Sequence, residues 1–154
     1  MNTTGTSGVF AREFEEFGRA VEVGVAGGRV ISVAFPATAP ADAGADHDLL
    51  DRIEASLGGE RDAFDGVATG LTVPTDRRAV LEALETIPYG EETSVSRLTR
   101  LAALDADDPE DLELVTSALR ENPIPILFPD HRVQGGPYAT PGEVREALRR
   151  VEGL

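Results

Sequence analysis

From Asn122 to Val133 the chain reads Asn-Pro-Ile-Pro-Ile-Leu-Phe-Pro-Asp-His-Arg-Val, a run that no regular element accommodates. Proline lacks the N–H that a helix interior or a central strand uses, and it steers the preceding residue away from helix. Pro123 therefore stops a helix arriving at Asn122. With Pro125 and Pro129 it frames an apolar stretch, Ile124 to Phe128, that is loop- or strand-like and ends in the polar triplet Asp130-His131-Arg132.

The remaining elements follow from periodicity and punctuation. Val21, Val23 and Val25 alternate, Gly27-Gly28 makes a turn, and Val30, Ile31, Val33 and Phe35 follow, so a β-hairpin is expected from Arg19 to Phe35. Residues 36–45 are a loop by composition. A helix is expected from Asp46 to Leu57, with Leu49, Leu50, Ile53 and Leu57 on one face and Gly58-Gly59 at its end. His47, at its acidic start, has no evident partner and is expected on the surface. A second helix begins at Thr75, carries Val80, Leu81, Leu84 and Ile87, and breaks at Pro88-Tyr89-Gly90. Ser94 reads as the N-cap of a short helix. Asp108 as cap, Pro109 at the first helical position and Asp111 in the box position open the next, which runs to about Glu121. These two make a helix-turn-helix shape. Thr140-Pro141-Gly142-Glu143 reads as a capping box for the last helix. The fold class is α+β. A flexible tail is expected over residues 1–8, an α/β subdomain over 9–70 and a helical subdomain over 71–154.

Composition removes several chemistries. The chain has 154 residues and no cysteine, so disulfides, a thiolate nucleophile and Cys-ligated metal are excluded. Apolar runs are too short for a membrane-spanning helix, and the start lacks the basic and apolar regions of a secretory signal, so a cytoplasmic protein is expected. Asp and Glu number 28 against 14 basic residues, all of them Arg, for a net charge of −14. That charge disfavours non-specific binding to nucleic acid or anionic membrane. Acid excess without lysine also resembles cytoplasmic proteins of salt-loving archaea. At molar salt the Debye length is about 3 Å, so self-repulsion is screened and the acidity says little about partners.

The Asn122–Val133 stretch resembles the active-site stretch of the O6-alkylguanine-DNA alkyltransferases, which reads N-P-x-x-x-x-x-P-C-H-R-V. Ile87-Pro88-Tyr89-Gly90-Glu91 resembles that family's I-P-x-G-E. Tyr138, Gly142, Arg145, Leu148, Glu152 and Gly153 fall at its C-terminal spacing, while Gly59-Glu60-Arg61, Phe64-Asp65 and Pro74, Arg77, Arg78 and Val80 look like its connector and first C-terminal helix. The resemblance implies a ribonuclease-like α/β subdomain followed by a helical subdomain of winged helix-turn-helix type. It also implies a His–Glu relay at His131 and Glu152, a base pocket at Asn122, Asp130, His131 and Tyr138, and a structural tie at Arg132.

The departures from the family pattern bear on function. The cysteine position holds Asp130, so the thiol that the relay would activate is absent. The tyrosine of the family's S-Y pair aligns with Val95, its intercalating arginine with Glu113, and its small helix surface with Leu114-Val115-Thr116-Ser117; Arg120 is the one basic residue of that helix. Val95, Glu113, Thr116, Ser117 and Arg120 are thus the expected DNA-contact positions.

For Asp130 itself three readings stand: a loop-holding carboxylate bonded by His131 and Arg132, a recognition group for a guanine edge, or a nucleophile giving a hydrolysable ester. For Tyr138 a base contact stands beside a hydroxyl that caps a loop. The resemblance implies a non-catalytic, monomeric reader of alkylated guanine in double-stranded DNA that assists a repair protein, with no cofactor and no metal. The alternatives are a repurposed scaffold that engages a protein or small ligand without DNA, and an Asp130-dependent dealkylase.

Overall fold

The computed structural model describes residues 7–154. Three antiparallel strands open the chain in the order β1 (Gly8–Phe14), β2 (Arg19–Ala26) and β3 (Arg29–Ala34). The β2–β3 hairpin turns at Gly27-Gly28, whose φ angles are 58° and 76°. Both positions are left-handed, as a two-residue hairpin turn prefers and as glycine permits. Strand β1 was not expected from the sequence. Its only fully buried residues are Ala11 and Phe14, with Phe10 partly buried, and its Arg12 reaches Ala45 O at 2.7 Å and Asp51 at 3.0 Å. Cross-strand pairing and a helix-borne carboxylate hold it, and neither leaves an alternating apolar pattern. Gly8 pairs with Val25 inside this strand, so the expected tail does not reach residue 8; its first six residues lie outside the described residues.

Helix α1 (Asp48–Leu57) buries Leu49, Leu50 and Ile53. His47 has a role after all: its Nδ1 accepts from Leu49 N at 3.1 Å and caps the helix, and its ring lies 5.1 Å from that of Phe10. Helix α2 (Thr75–Glu85) leads to the two-residue strand β4 (Thr93–Ser94), then α3 (Val95–Leu101) and α4 (Pro109–Arg120). Ser94 Oγ caps α3 by accepting from Arg97 N, and Asp108 caps α4 by accepting from Glu110 N. Asp111 does not close the expected box. Its carboxylate accepts from Asp105 N at 2.8 Å and braces the turn before the helix. A 3-10 turn (Asp130–Arg132), the strand β5 (Val133–Gln134) and α5 (Gly142–Glu152) complete the chain. β5 runs parallel to β4, with Thr93 opposite Val133.

One hydrophobic cluster runs from the sheet through α1 into α2–α5. The proline-framed stretch lies inside it: Ile124, Ile126, Leu127 and Phe128 are all buried. Val33 N donates to Pro123 O at 2.9 Å, joining β3 to the start of this stretch. Arg19 bridges the halves again, donating to Phe35 O and pairing with Glu143 on α5 at 2.6 Å. The site therefore sits where both halves of the core meet.

Candidate functional site around Asp130

The site begins where α4 ends. Asn122 Nδ2 donates to Phe128 O at 2.8 Å, and its Oδ1 accepts from Ile124 N at 3.0 Å. One amide side chain thus replaces the ladder that the prolines forbid. Ile126 takes φ = 76°, a left-handed conformation that strains a β-branched residue. Phe128 N bonding back to Ile124 O at 3.0 Å closes the loop around it.

Asp130 follows and is completely buried. Its Oδ2 accepts from Ala139 N at 3.0 Å, Thr140 N at 3.3 Å and Asn122 Nδ2 at 3.4 Å, and its Oδ1 accepts from Thr140 Oγ1 at 2.5 Å. These partners correct two expectations. Neither the His131 nor the Arg132 side chain bonds this carboxylate. Thr140 does not cap α5 either: Pro141 holds that position without a side-chain cap, because the threonine hydroxyl is turned inward to Asp130. Burial pushes the Asp130 carboxyl upward in pKa, against the lowering effect of Thr140, the Ala139 N–H and His131. Of the three readings for this residue, the geometry supplies a loop-holding carboxylate with different partners. A nucleophile needs a lone pair facing substrate, and both oxygens here face the protein's own donors.

His131 and Arg132 turn to Glu152 at the end of α5. His131 Nε2 lies 2.6 Å from Glu152 Oε2, so Nε2 carries the proton that this contact needs. Arg132 donates through Nε to Oε1 at 2.8 Å and through one Nη to Oε2 at 3.1 Å, while its other Nη reaches Ile87 O at 2.7 Å. Gly90 N adds a fourth donor at 2.9 Å. Burial would raise the Glu152 pKa, but bonds to His131 and Arg132 outweigh it and hold the carboxyl at about 2. His131 Nδ1 and Thr93 Oγ1 are buried without a hydrogen-bond partner. Among the described residues no group of three His, Asp or Glu side chains is placed to hold a metal.

Tyr138 is half-buried. Its hydroxyl donates to Val133 O at 2.6 Å, and the Arg145 guanidinium lies 4.2 Å from the ring centroid. Of its two readings, the loop-capping hydroxyl is the contact made. The residues aligned with the DNA side divide. Val95 starts α3 and packs against the core; Val115, within the aligned small surface, is itself core. Thr116 and Ser117 are half-buried, Glu113 and Arg120 are exposed, and Ser117 Oγ donates to Glu113 Oε1 at 3.2 Å.

Sequence reasoning missed Thr140 and Arg149. Arg149 donates to His131 O at 2.9 Å and pairs with Glu92 at 2.6 Å. No local pattern marks an arginine on an amphipathic helix for a loop carbonyl.

Residues 75–152 match the model for the 6-O-methylguanine DNA methyltransferase, DNA binding domain. The chain belongs to this family. A Methanosarcina acetivorans methylated-DNA–protein-cysteine methyltransferase is 31% identical over 107 residues, covering 66% of this chain and 65% of the relative. The mouse methylated-DNA–protein-cysteine methyltransferase is 34% identical over 84 residues, covering 51% of this chain. The match spans 38% of the mouse protein, so the chain corresponds to only part of these curated relatives. The crystal structure of Mycobacterium tuberculosis O6-methylguanine methyltransferase superposes with a TM-score of 0.74 at 25% identity, over 94% of this chain and 93% of that one. A Pyrococcus kodakaraensis O6-methylguanine-DNA methyltransferase has the same fold, with a TM-score of 0.69 at 22% identity over 96% of this chain and 100% of that one. The α+β fold is therefore that of the methyltransferases, in a chain without the cysteine for which its curated relatives are named. No helix among the described residues is long and apolar enough to cross a membrane.

Proposed function

We propose that this protein reads alkylated guanine in double-stranded DNA and assists repair without taking the alkyl group. The observation that carries the non-transferring part is Asp130: a carboxylate stands at the nucleophile position, and its oxygens are occupied by Asn122, Ala139 and Thr140. Support for DNA as partner comes from the matched DNA-binding domain and from the α3–α4 pair within it. In this reading Asn122, His131 and Tyr138 shape the base pocket, Arg132 ties the loop, and the monomer acts in the cytoplasm.

A second reading is a scaffold that has left DNA and meets a protein or small ligand. Two observations favour it. Glu110 and Glu113 are exposed on α4, where phosphates would repel them, and the polar groups of Asn122, Asp130 and Tyr138 are satisfied internally. An Asp130-dependent dealkylase has least support, because the carboxyl is completely buried among the protein's own donors.

The deciding experiment is an equilibrium titration, in KCl at which the chain is shown folded, of a duplex carrying O6-methylguanine against the same unmodified duplex. Tighter binding to the modified duplex is expected. Absence of binding to either retires the DNA reading in favour of the scaffold. Loss of lesions from DNA in large molar excess over protein would restore the dealkylase.

A further inference from the structure

Helix α3, Val-Ser-Arg-Leu-Thr-Arg-Leu, is the one α-helix among the described residues with no carboxylate, in a chain that carries 28 of them. It contributes Arg97 and Arg100, three residues apart and so on one helix face; both are exposed. Elsewhere the chain engages its arginines. Arg12, Arg19, Arg52, Arg77, Arg132 and Arg149 each pair with a carboxylate. Arg29, Arg61 and Arg78 donate to carbonyls, and Arg145 covers Tyr138. Among the described residues only the guanidinium groups of Arg97, Arg100, Arg120 and Arg150 make no hydrogen bond, ion pair or ring contact. Three of these four lie on α3 and α4.

We propose that the outer face of α3, through Arg97 and Arg100, is the phosphate-contacting edge of this protein, resting on the DNA reading above. Charge complementarity identifies the occupant. An unpaired guanidinium pair fits the backbone of a nucleic-acid duplex, whose phosphates the rest of this chain's acidic surface repels. The topology agrees: in helix-turn-helix pairs the first helix crosses the backbone while the second enters a groove. No carboxylate among the described residues pairs with either guanidinium, and two acids of the flanking segments have other partners. Glu92 is engaged by Arg149 and by Gln134, and Glu113 is held along α4 by Ser117. Grip and reading are thereby separated. The phosphate contacts lie on α3, and α4, with Glu113 in its middle, is left to discriminate.

The test is the salt dependence of duplex binding by Arg97→Gln/Arg100→Gln, measured on modified and unmodified duplexes. Each lost phosphate contact lowers the slope of log K against log salt by about 0.9, so a drop of about 2 is expected, with affinity falling equally on both duplexes. The double variant Arg29→Gln/Arg150→Gln removes the same charge from β3 and α5 and should leave the slope unchanged. Since neither α3 guanidinium makes a contact, the first variant should also keep the wild-type melting temperature. A slope unchanged by the α3 variant, or lowered as much by the control, overturns the α3 assignment while the DNA reading stands. A wild-type chain that is folded yet binds neither duplex overturns both.

Discussion

Replacing Asp130 tests whether its charge or merely its shape holds the loop. Asparagine has the same outline. With its Oδ1 where Asp130 Oδ2 lies, it can accept from Ala139 N and Thr140 N, which now sit at 3.0 Å and 3.3 Å. Its amide nitrogen can donate to Thr140 Oγ1 once that hydroxyl turns its proton away. The hydrogen bonds survive, and the charged form that burial penalises is no longer available. Burial of a carboxylate is unfavourable, which is why the Asp130 pKa rises. Asp130→Asn should therefore leave stability at pH 7 unchanged or raise it by about 1–2 kcal/mol. Asp130→Ala instead strands Ala139 N, Thr140 N and Thr140 Oγ1, at about 1–3 kcal/mol for each stranded group before relaxation, and should cost about 3 kcal/mol in all.

The pH dependence separates the effects further. A carboxyl whose folded pKa is raised gives stability that is complete below its unfolded pKa and is lost as pH rises through the folded value. The advantage of Asn over Asp should accordingly shrink between pH 7 and pH 4. Denaturant unfolding of the three proteins at fixed KCl, at both pH values, reads all of this. If Asn costs as much as Ala, charge and not shape holds the loop, and the reasoning fails.

Glu152 behaves oppositely, and Glu152→Gln should cost about 3–5 kcal/mol in the same unfolding assay, because it leaves the buried Arg132 guanidinium unpaired. The Glu152 pKa is held down at about 2, so its contribution is present above the ordinary carboxyl range and fades as pH falls from there towards about 2. An acid titration of stability should show this limb, worth about 3 kcal/mol, in the wild type and not in Glu152→Gln. His47→Ala removes the α1 cap and should cost about 1 kcal/mol, read as a lower denaturation midpoint. Glu113→Arg should tighten duplex binding by removing a repulsion and adding a cation, seen as a lower Kd in the titration; an unchanged Kd would place α4 away from the phosphates.

Much of the fold was legible because its signals are local. Alternating valines around Gly27-Gly28, the caps Ser94 and Asp108, and proline at position 109 act within a few residues, and each produced the expected element. Strand β1 was not legible, because its stability comes from β2 and from Asp51 on α1 rather than from its own alternation. The Thr140 cap was misread for a similar reason. The Thr140 hydroxyl turns inward and donates to the buried Asp130 carboxyl, and it accepts nothing from the first turn of α5.

The sequence by itself determined that the chain breaks at Asn122–Pro129, that a carboxylate stands where the family carries its thiol, and that His131, Arg132 and Glu152 are present to meet. Side-chain identity and proline stereochemistry suffice for that. Only the tertiary structure decided where the Asp130 charge goes, which arginines are consumed, and that α3 keeps two of them free. Hydrogen bonds and ion pairs between residues tens of positions apart depend on packing that brings their atoms within about 3 Å, and no spacing along the chain encodes that distance.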